Sequence, residues 1–209
     1  ISNIELSDSK FRFDRITELL KENYPLSISS AVSVLGNKFG MHNENIGYGN
    51  PKAINQLIAH HSILFKPQSS DFWISTMPYQ EGVYVHYNLS DVLKGKMPDA
   101  DSLNIPASEF VNSNDLKKFE AFKVIKQRIY KHNTFGVKLH LSEIEIKQYI
   151  DNNPMSYVTY MSLGDYFYHE KNYQRATAYY KEALKQEVAS KAEEEKIQKM
   201  IETCTEKLK

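Results

Sequence analysis

Three short segments rich in β-branched and aromatic residues follow one another in the first half of the chain, and they constrain the fold more than any other feature. They read NQLIAHHSILFKP, DFWISTMPYQEG and VYVHYNL, and polar or proline-containing turns separate them. In the third segment Val83, Val85 and Tyr87 alternate with more polar residues, which is the period-two pattern of a half-buried strand. The segments therefore predict an antiparallel meander, with strands over Leu57–Phe65, over Phe72–Thr76 and around residues 83–88.

Two helices are predicted before the meander. In SKFRFDRITELLKENYP the apolar residues fall at helical spacing, and Pro25 is expected to end the helix. We expect its buried face to consist of Phe13, Ile16, Leu19 and Leu20. Ser27 then predicts the N-cap of a short second helix with Ala31, Val34 and Leu35 on its apolar side.

The second half of the chain is predicted to be helical. LKKFEAFKVIKQRIYKH carries an apolar stripe flanked by lysines, which indicates a solvated basic face rather than a nucleic-acid site. Ser142 followed by Glu145 is a capping-box pattern that predicts the start of another helix. Asn152 and Pro154 are expected to mark its end.

A second motif lies in YMSLGDYFYHEKNYQRATAYYKEALK. Small and apolar residues recur in it at the spacing of two antiparallel helices, namely Tyr160, Leu163, Gly164 and Phe167, then Ala176, Tyr180 and Ala183. This pattern resembles one tetratricopeptide repeat, over 157–188. Because a single repeat cannot bury its own apolar face, we expect a helix over 190–208 to cap it.

Composition excludes several classes of function. Lysine and arginine number 26 and so do aspartate and glutamate, which gives no general charge that would attract nucleic acid. No run approaches the length of a membrane span, so no membrane span is expected. The only cysteine, Cys204, lies in a charged helical pattern and is expected to be an inert thiol. No cofactor motif is found.

His60 and His61 are the most distinctive ionisable pair. In a strand, neighbouring side chains point to opposite faces, so the two rings would diverge and could not chelate one metal ion. No carboxylate stands at a ligand spacing from them, so no metal site is predicted. From the residues alone, a structural role for both histidines is the default.

The stretch from Phe11 to Leu89 resembles the C-terminal part of the penicillin-acyltransferase-like N-terminal-nucleophile hydrolases. The resemblance rests on FRFDRITELL, SISSAVSVL, the strand NQLIAHHSILFKP, the tryptophan strand DFWIST, the turn MPYQEG and the ending YNL. It does not extend to the helical tail.

That resemblance implies an αββα sandwich whose precursor cleaves itself and exposes a catalytic N-terminal cysteine, which attacks an amide or thioester. The chain begins with Ile1, and Ser2 has no processing signal around it. The nucleophile is therefore expected outside this chain, on a missing N-terminal part of the same precursor. The residues that the resemblance suggests for the pocket are Asn55, Gln56, His60 and His61, with Trp73 and Tyr79 as walls.

The predicted organisation is α+β, with the C-terminal part of the sandwich over 1–93, a linker or surface crossing over 94–113 and a helical region over 114–209. Two functions stay open. The first is the C-terminal portion of an acyltransferase or amidohydrolase. The second is a non-enzymatic module whose tetratricopeptide-like helices bind a peptide or protein. Substrate and cellular compartment are not predicted.

Overall fold

The structure is a computed structural model that describes residues 8–97 and 103–209, and it combines helices with an antiparallel sheet, as the α+β prediction requires. The elements of the first half are α1 (Asp8–Glu22), α2 (Ile28–Leu35), β1 (Ile63–Lys66), β2 (Asp71–Ser75), β3 (Tyr84–Asn88) and α3 (Leu89–Leu93). Those of the second half are α4 (Asn114–Phe135), α5 (Glu143–Asn152), α6 (Tyr157–His169), α7 (Tyr173–Ala183) and α8 (Lys191–Lys207).

The three strands form the predicted meander, in the order β1-β2-β3 with antiparallel neighbours. The first strand is shorter than predicted, since it begins at Ile63 and leaves His60 and His61 in the preceding loop. Leu57 explains the difference, because it has a positive φ of 53° and is buried in the helical core. Ile63 pairs with Ile74, and Ser62 is the residue before it that still bonds to β2, through the N–H of Ser75 at 3.0 Å.

The two faces of the sheet differ in their surroundings. Directly paired residues lie on the same face of a sheet, so the register shows which residues of the three strands share a face. This set, here called the open apolar face, is Ile63, Phe65, Phe72, Ile74, Val85 and Tyr87. Phe65 is 67% exposed, and its ring stacks on Phe72, which in turn stacks on Tyr87. On the opposite face Trp73 is buried and donates a hydrogen bond to the carbonyl of Leu103.

The first two helices form where they were predicted, but the buried face of α1 matches the prediction only in part. Phe13 is exposed and Leu20 is partly so, whereas Arg15 is completely buried. The guanidinium of Arg15 is held by Glu18, Asn37 and Asn43. The predicted face is therefore confirmed at Leu19 and wrong at Phe13 and Leu20. The three polar partners make the burial of Arg15 tolerable.

In α2 the predicted cap is confirmed, with Ser27 and Ser30 forming a reciprocal capping box. Ala31 and Val34 are buried, as expected.

The helical region has one continuous core. Phe119, Phe122 and Ile129 of α4 are buried in it, together with most of the predicted repeat positions of α6 and α7. The predicted capping box of Ser142 and Glu145 opens α5. α8 lies where the capping helix was predicted, with Ile197, Ile201 and Cys204 buried and Leu208 exposed.

The first half of the chain packs on the helical region. Asn50 donates a 2.8 Å hydrogen bond to the carbonyl of Glu187, and Tyr48 exchanges hydrogen bonds with Asn153. Part of the predicted linker is ordered, since Ile105 pairs with Tyr84 and a 3-10 turn spans Glu109–Asn112.

Ile1 and Ser2, which the sequence argument used, and residues 98–102 of the predicted linker lie outside the described residues. The domain boundaries remain a prediction. Among the described helices, none has the length and apolar character needed to cross a membrane.

Candidate functional site

A cavity of about 540 Å³ opens between α2 and the turn that joins β2 to β3. This is within the usual size range of small-molecule pockets. Its walls include residues of α2, of the segment after α2, of the turn and of residues 105–108. The polar groups that line it are Ser29, Ser33, Asn37, Lys38, Gln80, Glu81, Tyr84 and Ser108.

A buried ionic cluster stands at the wall of this cavity. Glu81 is 3% exposed, and its Oε1 accepts hydrogen bonds from Lys38 Nζ at 2.9 Å and from Asn55 Nδ2 at 2.5 Å. The second bond of the Asn55 amide goes to the carbonyl of Tyr79 at 3.3 Å. The ammonium of Lys38 thus neutralises the charge of Glu81, and the amide of Asn55 orients its carboxylate. A carboxylate tolerates burial when it is paired and hydrogen-bonded in this way.

Local backbone structure fixes Asn55 in this cluster. Its N–H donates to the carbonyl of Asn37 at 2.8 Å, and its Oδ1 accepts from the N–H of Leu57 at 2.9 Å. The second bond is an Asx turn, a motif by which Asn stabilises a bend through its own side chain. The backbone and the side chain of Asn55 are therefore both held by hydrogen bonds, and the residue is 1% exposed.

The turn after β2 fixes Glu81. Tyr79 and Gln80 both have positive φ, at 49° and 60°, which costs about 1 kcal/mol or more for each non-glycine residue. The side-chain amide of Gln80 donates to the carbonyl of Leu35 at 3.0 Å and so ties the turn to α2. At Gly82 a Cβ would lie 2.4 Å from the carbonyl oxygen of Met77, so no larger residue fits there.

Tyr84 forms part of the same wall. Its hydroxyl is hydrogen-bonded to Ser62, and burial raises its pKa above the ordinary value. It is therefore a neutral hydrogen-bonding group at physiological pH. Tyr84, Lys38 and Glu81 all line the cavity, so polar residues stand along one side of it.

The structure separates the predicted site residues. Asn55 belongs to the cluster, whereas Gln56 lines a second, smaller cavity beside α4. His60 and His61 are both exposed in the loop before β1, with ring centroids 6.1 Å apart, and they line neither cavity. They were expected to lie in a strand, and the short β1 corrects that expectation.

The two predicted wall residues lie elsewhere. Trp73 packs on His86 at 5.0 Å between ring centroids, on the covered face of the sheet. The hydroxyl of Tyr79 is hydrogen-bonded to Glu120 and Lys123 of α4, and burial raises its pKa.

Sequence reasoning missed Glu81 and Lys38. The two residues stand 43 positions apart, so no local periodicity links them. The available signal was the turn MPYQEG, which places a carboxylate beside a glycine between two strands. Cys204, by contrast, is fully buried in α8, and burial raises the pKa of its thiol, which agrees with the expectation of an inert cysteine.

Among the residues that the structure describes, no group of three or more His, Cys, Asp or Glu side chains is placed to hold a metal ion. Comparisons with protein-family models, with curated proteins and with solved structures found no match to this chain.

Proposed function

We propose that this chain is the C-terminal portion of an N-terminal-nucleophile acyltransferase or amidohydrolase, acting on amide or thioester bonds. The open apolar face of the sheet carries the proposal. In a sandwich, two sheets pack through their apolar faces about 10 Å apart, while helices cover the outer sides. Here one face of the sheet is covered by this chain and the other displays six apolar side chains.

On this face Ile63 and Phe65 are exposed, and the other four residues are half-buried. Scattered apolar residues are common on protein surfaces, but contiguous apolar patches mark interaction sites. Phe65, Phe72 and Tyr87 form a continuous aromatic row across all three strands, with neighbouring centroids 6.1 Å and 5.1 Å apart. Covering this row with a second sheet would remove it from water.

The nucleophile in this proposal is a cysteine on the N-terminal part of the same precursor, exposed when the precursor cleaves itself. Its own α-amino group acts as the base. Within this chain, the cavity beside Glu81 receives part of the substrate, and Lys38 and Tyr84 supply hydrogen bonds to it. Asn55 is a positioning residue, because both of its amide hydrogens are already bonded to Glu81 and Tyr79.

The first test determines whether the precursor is cleaved. The precursor that contains this chain is purified, and intact-mass measurement with N-terminal sequencing determines whether it is cut so that a cysteine becomes N-terminal. Cleavage of a panel of amides and thioesters is then measured. An uncut precursor without such a cysteine, or a cut one that cleaves none of them, overturns the proposal.

The second test concerns the open apolar face. Phe72→Asp introduces a charge in the middle of the aromatic row and is expected to separate the two portions of the processed protein and to abolish cleavage. The matched control is Val124→Asp, which changes an exposed apolar residue on α4. Equal effects of both variants, or none of either, count against a second layer at the sheet.

The alternative function, a peptide-binding module built on the tetratricopeptide-like helices, is less well supported. The apolar faces of α6 and α7 are buried against α4 and α8 in one core. A pulldown with and without residues 157–209 tests it directly, since a partner retained after the deletion does not bind these helices.

A further inference from the structure

The smaller cavity lies between α4 and the beginning of α6 and has a volume of about 100 Å³. A drug-sized ligand needs at least about 300 Å³, so only a small group fits. At about 30 Å³ per water molecule, the volume corresponds to roughly three waters. The polar residues along its wall are Gln56, Lys123, Lys126 and Ser156.

Ser156 is an N-cap residue whose side chain does not cap. It precedes the first residue of α6, yet its hydroxyl makes no hydrogen bond to that helix. The hydroxyls of Ser142 and Ser190 do cap α5 and α8. Ser156 is 1% exposed, lines the cavity, and its hydroxyl has no partner among the described residues. A hydroxyl that lines a cavity and has no protein partner is available to bond a ligand there.

The helix itself adds a donor at the cavity. The first N–H groups of an α-helix have no partner within the helix, and at α6 these belong to Tyr157 and Val158. The side chain of the N-cap residue does not bond to them. Val158 also lines the cavity. The N-terminus of a 13-residue helix carries a partial positive charge, so these donors favour an anion.

Lys126 supplies a full positive charge. It lines the cavity and forms no ion pair with any described residue. Burial lowers its pKa, and the nearby Glu193 acts in the opposite direction. That carboxylate is itself bonded to the Tyr157 hydroxyl at 2.5 Å. The second lysine of the wall, Lys123, already bonds to the Tyr79 hydroxyl and forms an ion pair with Glu120.

We propose that this cavity binds a phosphate group, held by the Ser156 hydroxyl, the N–H group of Val158 and the ammonium of Lys126. A phosphate offers several strong acceptor oxygens, which matches this set of donors, and charged hydrogen bonds are the strongest class. Gln56 supplies a further amide at the wall. The site is independent of the proposed hydrolase pocket, because the two cavities share no lining residue.

Isothermal titration of the full protein tests the site at constant ionic strength, with inorganic phosphate, phenyl phosphate and acetate as separate ligands. We expect saturable one-site binding of phosphate, weakened on the order of tenfold by Ser156→Ala and by Lys126→Gln. Lys131→Gln, an exposed lysine on the same helix, is the matched control and should bind as the wild type does.

The three ligands distinguish the possibilities. Tighter binding of phenyl phosphate than of inorganic phosphate supports a phosphorylated small molecule as the natural ligand, and the reverse order supports the free ion. Equal binding of acetate overturns a phosphate site, and so does phosphate binding that is absent or is unchanged in both variants. Circular dichroism of each variant verifies that the fold is intact.

Discussion

The amide of Asn55 donates a 2.5 Å hydrogen bond to the carboxylate of Glu81, and this bond connects the segment before the sheet with the turn inside it. Lys38, from the segment after α2, completes the cluster at 2.9 Å. Three separate parts of the chain thus converge on one buried carboxylate. The energetic consequence is that the loss of Glu81 leaves two largely buried groups without one of their partners.

Glu81→Ala is expected to destabilise the protein by about 3–5 kcal/mol, because it leaves the largely buried ammonium of Lys38 without its counter-charge and removes one of the two hydrogen bonds of the Asn55 amide. Urea denaturation of wild type and variant measures the difference. Glu182→Ala is the control, since its ion pair with Lys185 is exposed and should be worth at most about 1 kcal/mol. A loss at Glu81 as small as at Glu182 contradicts the role of the cluster.

Sequence patterns that span only a few residues predicted the starts of helices correctly. Ser27 and Ser142 were expected to begin helices, and both form capping boxes, because a cap is decided by residues within three positions. The Arg15 burial and the Lys38–Glu81 pair could not be predicted in this way. Both depend on partners more than twenty positions away, brought together only by tertiary packing. For the same reason only Asn55, of the predicted site residues, lies in the cluster beside the larger cavity.

Two serines at helix starts should respond differently to alanine. Ser142 bonds the N–H of Glu145 at 3.3 Å, so Ser142→Ala is expected to cost about 1 kcal/mol. Ser156 makes no cap bond, so Ser156→Ala should leave the free energy of unfolding unchanged in phosphate-free buffer. Thermal or urea unfolding of the pair measures this contrast. A substantial loss in Ser156→Ala would show that its hydroxyl serves the helix.

Stability at acid pH is expected to depend on Asp71. Hydrogen bonds from Ser69, then Asn88 and His86, lower the pKa of its carboxyl from 3.8 to about 2 in the folded protein. Because the folded value lies below the unfolded one, the stabilisation is present above pH 3.8 and is lost as the pH falls toward 2. Asp71→Asn should therefore flatten the decrease of the urea midpoint over this interval. A decrease as steep as that of the wild type would exclude Asp71 as a cause.

Gly164 allows α6 and α7 to approach closely. A Cβ at this position would lie 2.6 Å from two ring carbons of Tyr180, which is fully buried and bonded to Asp165. Gly164→Ala is therefore expected to destabilise the protein by about 1–3 kcal/mol through overpacking. A double-mutant cycle with Tyr180→Leu identifies the contact, because the smaller side chain should relieve part of the loss. Additive effects would place the strain elsewhere.

Phe65 and Trp73 lie on opposite faces of one sheet and should differ sharply when each is truncated in this chain. Trp73 is 5% exposed, so Trp73→Ala is expected to cost about 3–5 kcal/mol through lost burial and the cavity left behind. Phe65 is 67% exposed, so Phe65→Ala should change the free energy of unfolding by less than about 0.5 kcal/mol. In the processed full-length protein the same Phe65→Ala should become costly, because a second sheet would then cover the ring. Urea unfolding of both forms measures the difference, and a Phe65 effect that stays small in the longer protein would contradict a sandwich at this face.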